Sequence, residues 1–188
     1  MDVLLNGVRN AAIAGSPGAG RKGMEQAMGL SLRESVHLVS DPRNVDASVE
    51  EVFHLMLGVE CRREDGPLPV EPESVTAVVG FGGLLSGACV FRTGGVAALQ
   101  VAARMTGMEF TEIDDTVKDG IGEICNMLAG AWKSKVPDLA ANCGLSVPAV
   151  ITGHDYRLHV QAPEFQLHHV YRFDDAVFAV TIVCDGLQ

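Results

Sequence analysis

Apolar positions recur along this chain with two periods, one helical and one strand-like. From Asp115 to Val136 (DTVKDGIGEICNMLAGAWKSKV), Val117, Ile121, Ile124, Leu128 and Trp132 fall within about one third of a helical wheel at about 100° per residue. Asp119, Glu123, Asn126, Gly130 and Lys133 gather opposite. The run predicts a long amphipathic helix. Asp114 or Asp115 can cap its first turn, Lys133 and Lys135 suit its negative end, and Pro137 closes it. Gly120, Gly122 and Gly130 each cost about 0.8–1.0 kcal/mol against alanine in a helix interior. Something must therefore come close to the backbone there, either a neighbouring element or a partner.

A second stripe, Val49, Val52, Phe53, Met56 and Leu57, predicts a helix capped by Asp46 or Ser48 and stopped by Gly58. Pro67, Pro69 and Pro72 mark a surface loop. Residues 74–81 and 84–92 read as strands joined through Gly82-Gly83, and an alanine-rich helix covers Gly95 to Met105. After Pro137 the pattern turns to strands over 145–152, 157–161, 165–173 and 177–184, the last two meeting at Asp174-Asp175. Consecutive hairpins imply antiparallel pairing, and the segregation of helices from strands gives an α+β fold: a mostly antiparallel sheet with long helices packed on it.

Residues 1–45 differ in character. Gly15 to Gly20 is a flexible run and Asp41-Pro42-Arg43-Asn44 a turn-rich break, so this stretch reads as a poorly ordered extension with a short helix between Met24 and Val36, and residues 46–188 as one domain. Gly15 to Lys22 superficially resembles a phosphate-binding loop, but Arg21 and Lys22 stand where that motif needs Lys and Ser or Thr.

Composition narrows the function. The 188 residues, 47% of them hydrophobic, suffice for one sizeable core. A net charge of −10, from 14 basic and 24 acidic residues, argues against a nucleic-acid or anionic-membrane surface. Five scattered cysteines without paired CxxC spacing read as buried hydrophobes in a reducing cytoplasm. Met1 to Ala14 lacks the basic start and unbroken apolar run of a secretory signal, and no segment has the length of a membrane span. His168 and His169 point to opposite faces of a strand, and His154 and His159 have no neighbouring Cys, so no structural metal site is expected.

The order Asp119, Glu123, Asn126 and then Pro148, together with Met56-Leu57-Gly58-Val59-Glu60, the segment LSGACVFRT and Gly153-His154-Asp155-Tyr156, resembles the CheX/CheC family of bacterial chemotaxis phosphatases over about residues 46–185. The resemblance implies removal of the phosphoryl group from a phosphorylated CheY-like response regulator. Glu123 would pair with the regulator's active-site lysine, and Asn126 would orient the attacking water beside the aspartyl phosphate. Asp119 and Pro148 would support the site, Asp119 through the helix's first turn or rim electrostatics. It further implies that this chain binds no cofactor, the Mg²⁺ belonging to the partner regulator, and that it forms a homodimer around a sheet. The first helix offers Glu50 or Glu51 followed by Phe53 or His54, with no Asn, which resembles the single-site CheX subgroup rather than two-site CheC proteins. A different class of function uses the same features: a non-catalytic module that holds a regulator or flagellar-motor component. The intact Glu123/Asn126 pair favours the enzyme, because a pure binder has no need of a carboxamide there. Trp132 and Cys125 read as packing residues.

Overall fold

The computed structural model of the protein describes residues 36–154, 156 and 163–187. In chain order the helices are α1 (Val36–Val39), α2 (Pro42–Leu57), α3 (Gly95–Thr106), α4 (Asp115–Ser134) and α5 (Pro137–Asn142). The strands are β1 (Arg62–Glu64), β2 (Ser74–Gly83), β3 (Leu85–Gly94), β4 (Cys143–Leu145), β5 (Ala149–Gly153), β6 (Phe165–Phe173) and β7 (Ala176–Leu187). The helix expected between Met24 and Val36 and the strand expected over 157–161 lie outside the described residues, as does the glycine-rich run near residue 15.

The strands form one antiparallel sheet in the order β1-β6-β7-β3-β2, and the outer edge of β2 pairs with both β4 and β5. Helices α2 and α3 flank α4, which lies on β2 and β3. This is the expected α+β architecture. Its core interleaves the apolar stripes of the helices with alternate residues of the strands. Phe53 of α2 stacks on Phe178 of β7 with ring centroids 4.4 Å apart, and Trp132 of α4, 1% exposed, packs 5.1 Å from Phe81 of β2. Burying such rings contributes more than any other residue type to a core of this size.

Three local expectations are corrected. The first long helix is capped not by Asp46 or Ser48 but by Asp41, which accepts from Arg43 N; Pro42 occupies the first turn of α2, and Val39 and Val45 are core residues. The turn-like Asp41-Pro42 is a helix start, since proline's missing N–H costs nothing in a first turn. The single strand expected over 145–152 is two, and a short helix, α5, with Pro137 in its first turn, precedes them. The strand β1, paired to β6 through Arg62, Arg63 and Glu64, was not expected from the sequence.

Candidate functional site

Helix α4 begins where Asp114 accepts a hydrogen bond from Val117 N at 2.9 Å, which selects Asp114 over Asp115 as the cap. Asp115 instead pairs with Lys118 at 2.9 Å. The buried face carries Val117, Ile121, Ile124, Cys125, Leu128, Ala129 and Trp132. Cys125 packs in the core with its thiol 3.4 Å from the carbonyl of Ala77, so it is no nucleophile at the surface.

The opposite face is partly covered by neighbouring elements. Each glycine admits a neighbour of the same chain. A Cβ on Gly120 would lie 3.5 Å from Met105 Sδ of α3, one on Gly122 3.4 Å from Pro148 Cβ and 3.3 Å from Val150 Cγ2, and one on Gly130 4.0 Å from Leu145 Cδ1. Gly122, Asn126 and Gly130 are spaced i, i+4, i+8 along one side of α4, so the β4–β5 edge runs beside that row. The spans agree: eight helical residues advance about 12 Å, and the strand path from Leu145 to Pro148 and Ala149 covers a similar length at about 3.3 Å per residue. Asn126 thus stands level with the junction between β4 and β5.

That junction is a bulge. β2 pairs Phe81 with Leu145 and Val78 with Ala149, which leaves Ser146, Val147 and Pro148 facing only Val79 and Gly80. Ser146 holds the break: its N–H donates to Gly80 O, and its Oγ accepts from Gly80 N, both at 2.9 Å. Pro148 has no N–H to offer the ladder and fits at a bulge. It leans on the backbone of α4 where Gly122 has no side chain. The sequence-predicted Pro148 is therefore adjacent to the helix that carries Glu123 and Asn126, in contact one residue before Glu123.

Glu123 is exposed and Asn126 half-buried. On the wheel Glu123 lies about 60° from Asn126, on the side away from β5. Neither side chain has a hydrogen bond or ion pair among the described residues, although their neighbours on the helix do. Asp119 is exposed one turn before Glu123 and makes no such contact either. Lys133, expected on the polar face, turns its ammonium to the carbonyls of Cys143 (2.6 Å) and Ala140 (3.2 Å), where it ties α5 and β4 to α4. The site so assembled presents an anionic acceptor and a carboxamide one turn apart on a rigid helix, with a bulged edge strand as its second wall. It has no nucleophile, and no cluster of three metal-ligating side chains occurs among the described residues.

A family model described as chemotaxis phosphatase CheX matches residues 75–169, which spans the hairpin β2–β3, all of α4 and the bulge. The chain belongs to the CheX family. It is 32% identical over 126 residues to the CheY-P phosphatase CheX of Thermotoga maritima, an alignment that covers 63% of this chain and 81% of that one. The fold matches chemotaxis protein CheX from Vibrio vulnificus with a TM-score of 0.65 at 19% identity, covering 76% of this chain and 94% of the other. It also matches, with a TM-score of 0.64 at 19% identity, a chain of the CheX–CheY–BeF₃–Mg²⁺ complex from Borrelia burgdorferi, covering 77% and 97%. Among the described residues no helix is long and apolar enough to cross a membrane.

Two features of the site were missed in the sequence. Ser146 gave no signal by type. The bulge did: a proline inside an otherwise strand-like run marks an edge or an irregularity.

Proposed function

We propose that this chain accelerates the loss of phosphate from a phosphorylated CheY-like receiver domain, with Glu123 docking on the receiver's active-site lysine and Asn126 orienting the attacking water. The observation that carries the reading is the pairing of an unengaged carboxylate and an unengaged carboxamide on one face of α4, in a chain of the CheX family. Its Thermotoga relative is a CheY-P phosphatase, and a chain of the same fold is found in complex with CheY, BeF₃ and Mg²⁺.

The chemistry asks little of the helper. In the receiver, an aspartyl phosphate is a reactive acyl phosphate. A water oxygen attacks phosphorus in line with the acyl oxygen, the phosphorus–acyl oxygen bond breaks, the carboxylate is regenerated and inorganic phosphate leaves. Positioning that water is the helper's main contribution. A carboxamide suits it, because its oxygen accepts from the water while its NH₂ donates to a phosphoryl oxygen. Charge developing on the phosphoryl group is met by the receiver's own Mg²⁺ and lysine, so this chain needs no metal. Asp119, one turn nearer the helix start, adds negative charge on the lysine side, and Pro148 fixes the distance between α4 and the edge strand.

Phosphate release from a panel of phosphorylated receiver domains, measured with and without the protein, tests the reading. Acceleration for at least one receiver, lost in Asn126→Ala, is expected. Binding without acceleration for every receiver would replace the enzyme by a docking module. The same chain is proposed to act as a homodimer, since the outer edge of β5 carries ladder groups that no strand among the described residues pairs. Light scattering at micromolar concentration that returns one chain's mass would remove that part.

A further inference from the structure

Resting on the receiver-phosphatase reading above, we infer that Val147 is the apolar anchor by which the bulge between β4 and β5 grips the receiver domain, a specificity contact separate from the Glu123/Asn126 chemistry. Val147 is 86% exposed, although it lies between Leu145 and Pro148, which both reach α4. Single exposed apolar side chains are ordinary on a protein surface; what sets Val147 apart is its place in a tightly fixed segment beside the helix that carries Glu123 and Asn126. The segment is fixed on three sides. Ser146 is bound to both polar groups of Gly80 and donates its own Oγ–H to Val147 O at 2.9 Å, Pro148 abuts Gly122, and Ala149 resumes pairing with Val78. The bulge therefore presents Val147 with little freedom to lose on binding, which is the property of an interface anchor.

Charge gives such an anchor a role. The face of α4 that approaches the receiver bears Asp115, Asp119 and Glu123, and its one lysine near them, Lys118, is engaged by Asp115. The chain as a whole carries −10. The receiver's reaction centre, an aspartyl phosphate among Mg²⁺-binding carboxylates, is itself rich in negative charge. With the receiver's Mg²⁺ already engaged by the phosphoryl group, the acidic face of α4 gains little attraction beyond the Glu123–lysine pair, and apolar area beside it adds what charge does not. Val147, level with Asn126 on the second wall of the site, is the exposed apolar side chain placed there. Ile151, also exposed, pairs with Thr76 on the sheet face turned away from the helices. Val70 lies in the loop between β1 and β2.

The experiment compares Val147→Ser and Val147→Thr with Val70→Ser as an exposed-valine control. The probe is a receiver domain loaded with beryllofluoride and Mg²⁺ for affinity, and the phosphorylated receiver for the single-turnover rate at saturation. Val147→Ser is expected to weaken affinity about tenfold, and the near-isosteric Val147→Thr less, as expected for loss of one well-packed apolar contact. The saturating rate and thermal midpoint should stay at the parent values, and Val70→Ser should change nothing. Parent-like affinity in both Val147 variants overturns the inference, as does a lowered saturating rate with affinity intact. A parent protein that binds the loaded receiver without accelerating phosphate loss fails the catalytic reading alone, and the affinity comparison still decides the role of Val147.

Discussion

Two polar clusters on this molecule invite an active-site reading, and they differ in one respect. The first, on α4, has two functional groups and no partners. The second joins α2, β1 and β6: Tyr171 donates to Asp46 Oδ1 at 2.6 Å, His169 Nδ1 lies 3.1 Å from the Tyr171 hydroxyl and 3.3 Å from the same carboxylate, and Arg63 reaches Asp46 Oδ2 at 3.3 Å. It borders a cleft of about 730 Å³ with Glu50, Glu51 and His54. Burial, reinforced by Arg63, holds His169 below its ordinary range against the pull of Asp46, and burial with the Asp46 hydrogen bond pushes the Tyr171 hydroxyl well up. Cleft, histidine and shifted ionisation are the usual marks of catalysis. Yet these groups satisfy one another, and what they accomplish is to fasten α2 to the strands beneath it. A group meant to act on another protein's phosphate stays unpaired until that protein arrives. The contrast separates a structural network from a site that, on the proposed reading, is completed in trans.

Each cluster can be challenged on the other's terms. The largest effect is expected at Glu123. Glu123→Ala should weaken binding of a beryllofluoride-loaded receiver by about 2–5 kcal/mol, the cost of unpairing a desolvated charge, with the thermal midpoint unchanged because the side chain is exposed and unbonded in the free protein. Titration calorimetry alongside thermal melts reads both quantities, and a stability loss without a binding loss would make Glu123 structural. The second cluster should show the reverse, at smaller size. His169 sits below its unfolded-chain value near 6.5, so the unfolded chain binds the extra proton as pH drops through that region. Stability should therefore be constant above about pH 6.5 and fall as pH is lowered towards the folded value. His169→Gln should flatten that slope in part, the remainder belonging to His168, likewise held down by burial. Phosphate-release rates at neutral pH should match the parent's. Melts across pH 5 to 8 that coincide for parent and variant would show that His169 does not report the network.

The sequence was most readable where local periodicity and packing agree. In α4 the stripe from Val117 to Trp132 is the buried face, and β6 with its Asp174-Asp175 turn follows the alternation, Asp174 taking a left-handed φ of 46° that aspartate tolerates. The candidate site residues stood out as an ordered set only through a family resemblance, since one carboxylate and one carboxamide at helical spacing carry little information alone. What the chain hid has physical causes. Asp46 and Tyr171 are 125 residues apart, so no spacing rule can join them. Arg62–Glu64 forms a charged three-residue edge strand without alternation. Pro137 stops α4 and also starts α5, two roles that read alike from sequence. The glycines of α4 posed the question of a close neighbour, and the answer, Met105, Pro148 and Leu145, required the tertiary fold.

The most direct test of the account is Asn126→Ala in single-turnover phosphate release from a receiver that the parent protein dephosphorylates. Loss of the group that positions water should cut the accelerated rate by at least about a hundredfold, towards the receiver's own rate, while affinity for the beryllofluoride-loaded receiver and the thermal midpoint stay near the parent values. An Asn126→Ala protein that releases phosphate as fast as its parent would contradict the account, and the face of α4 would then be a docking surface only.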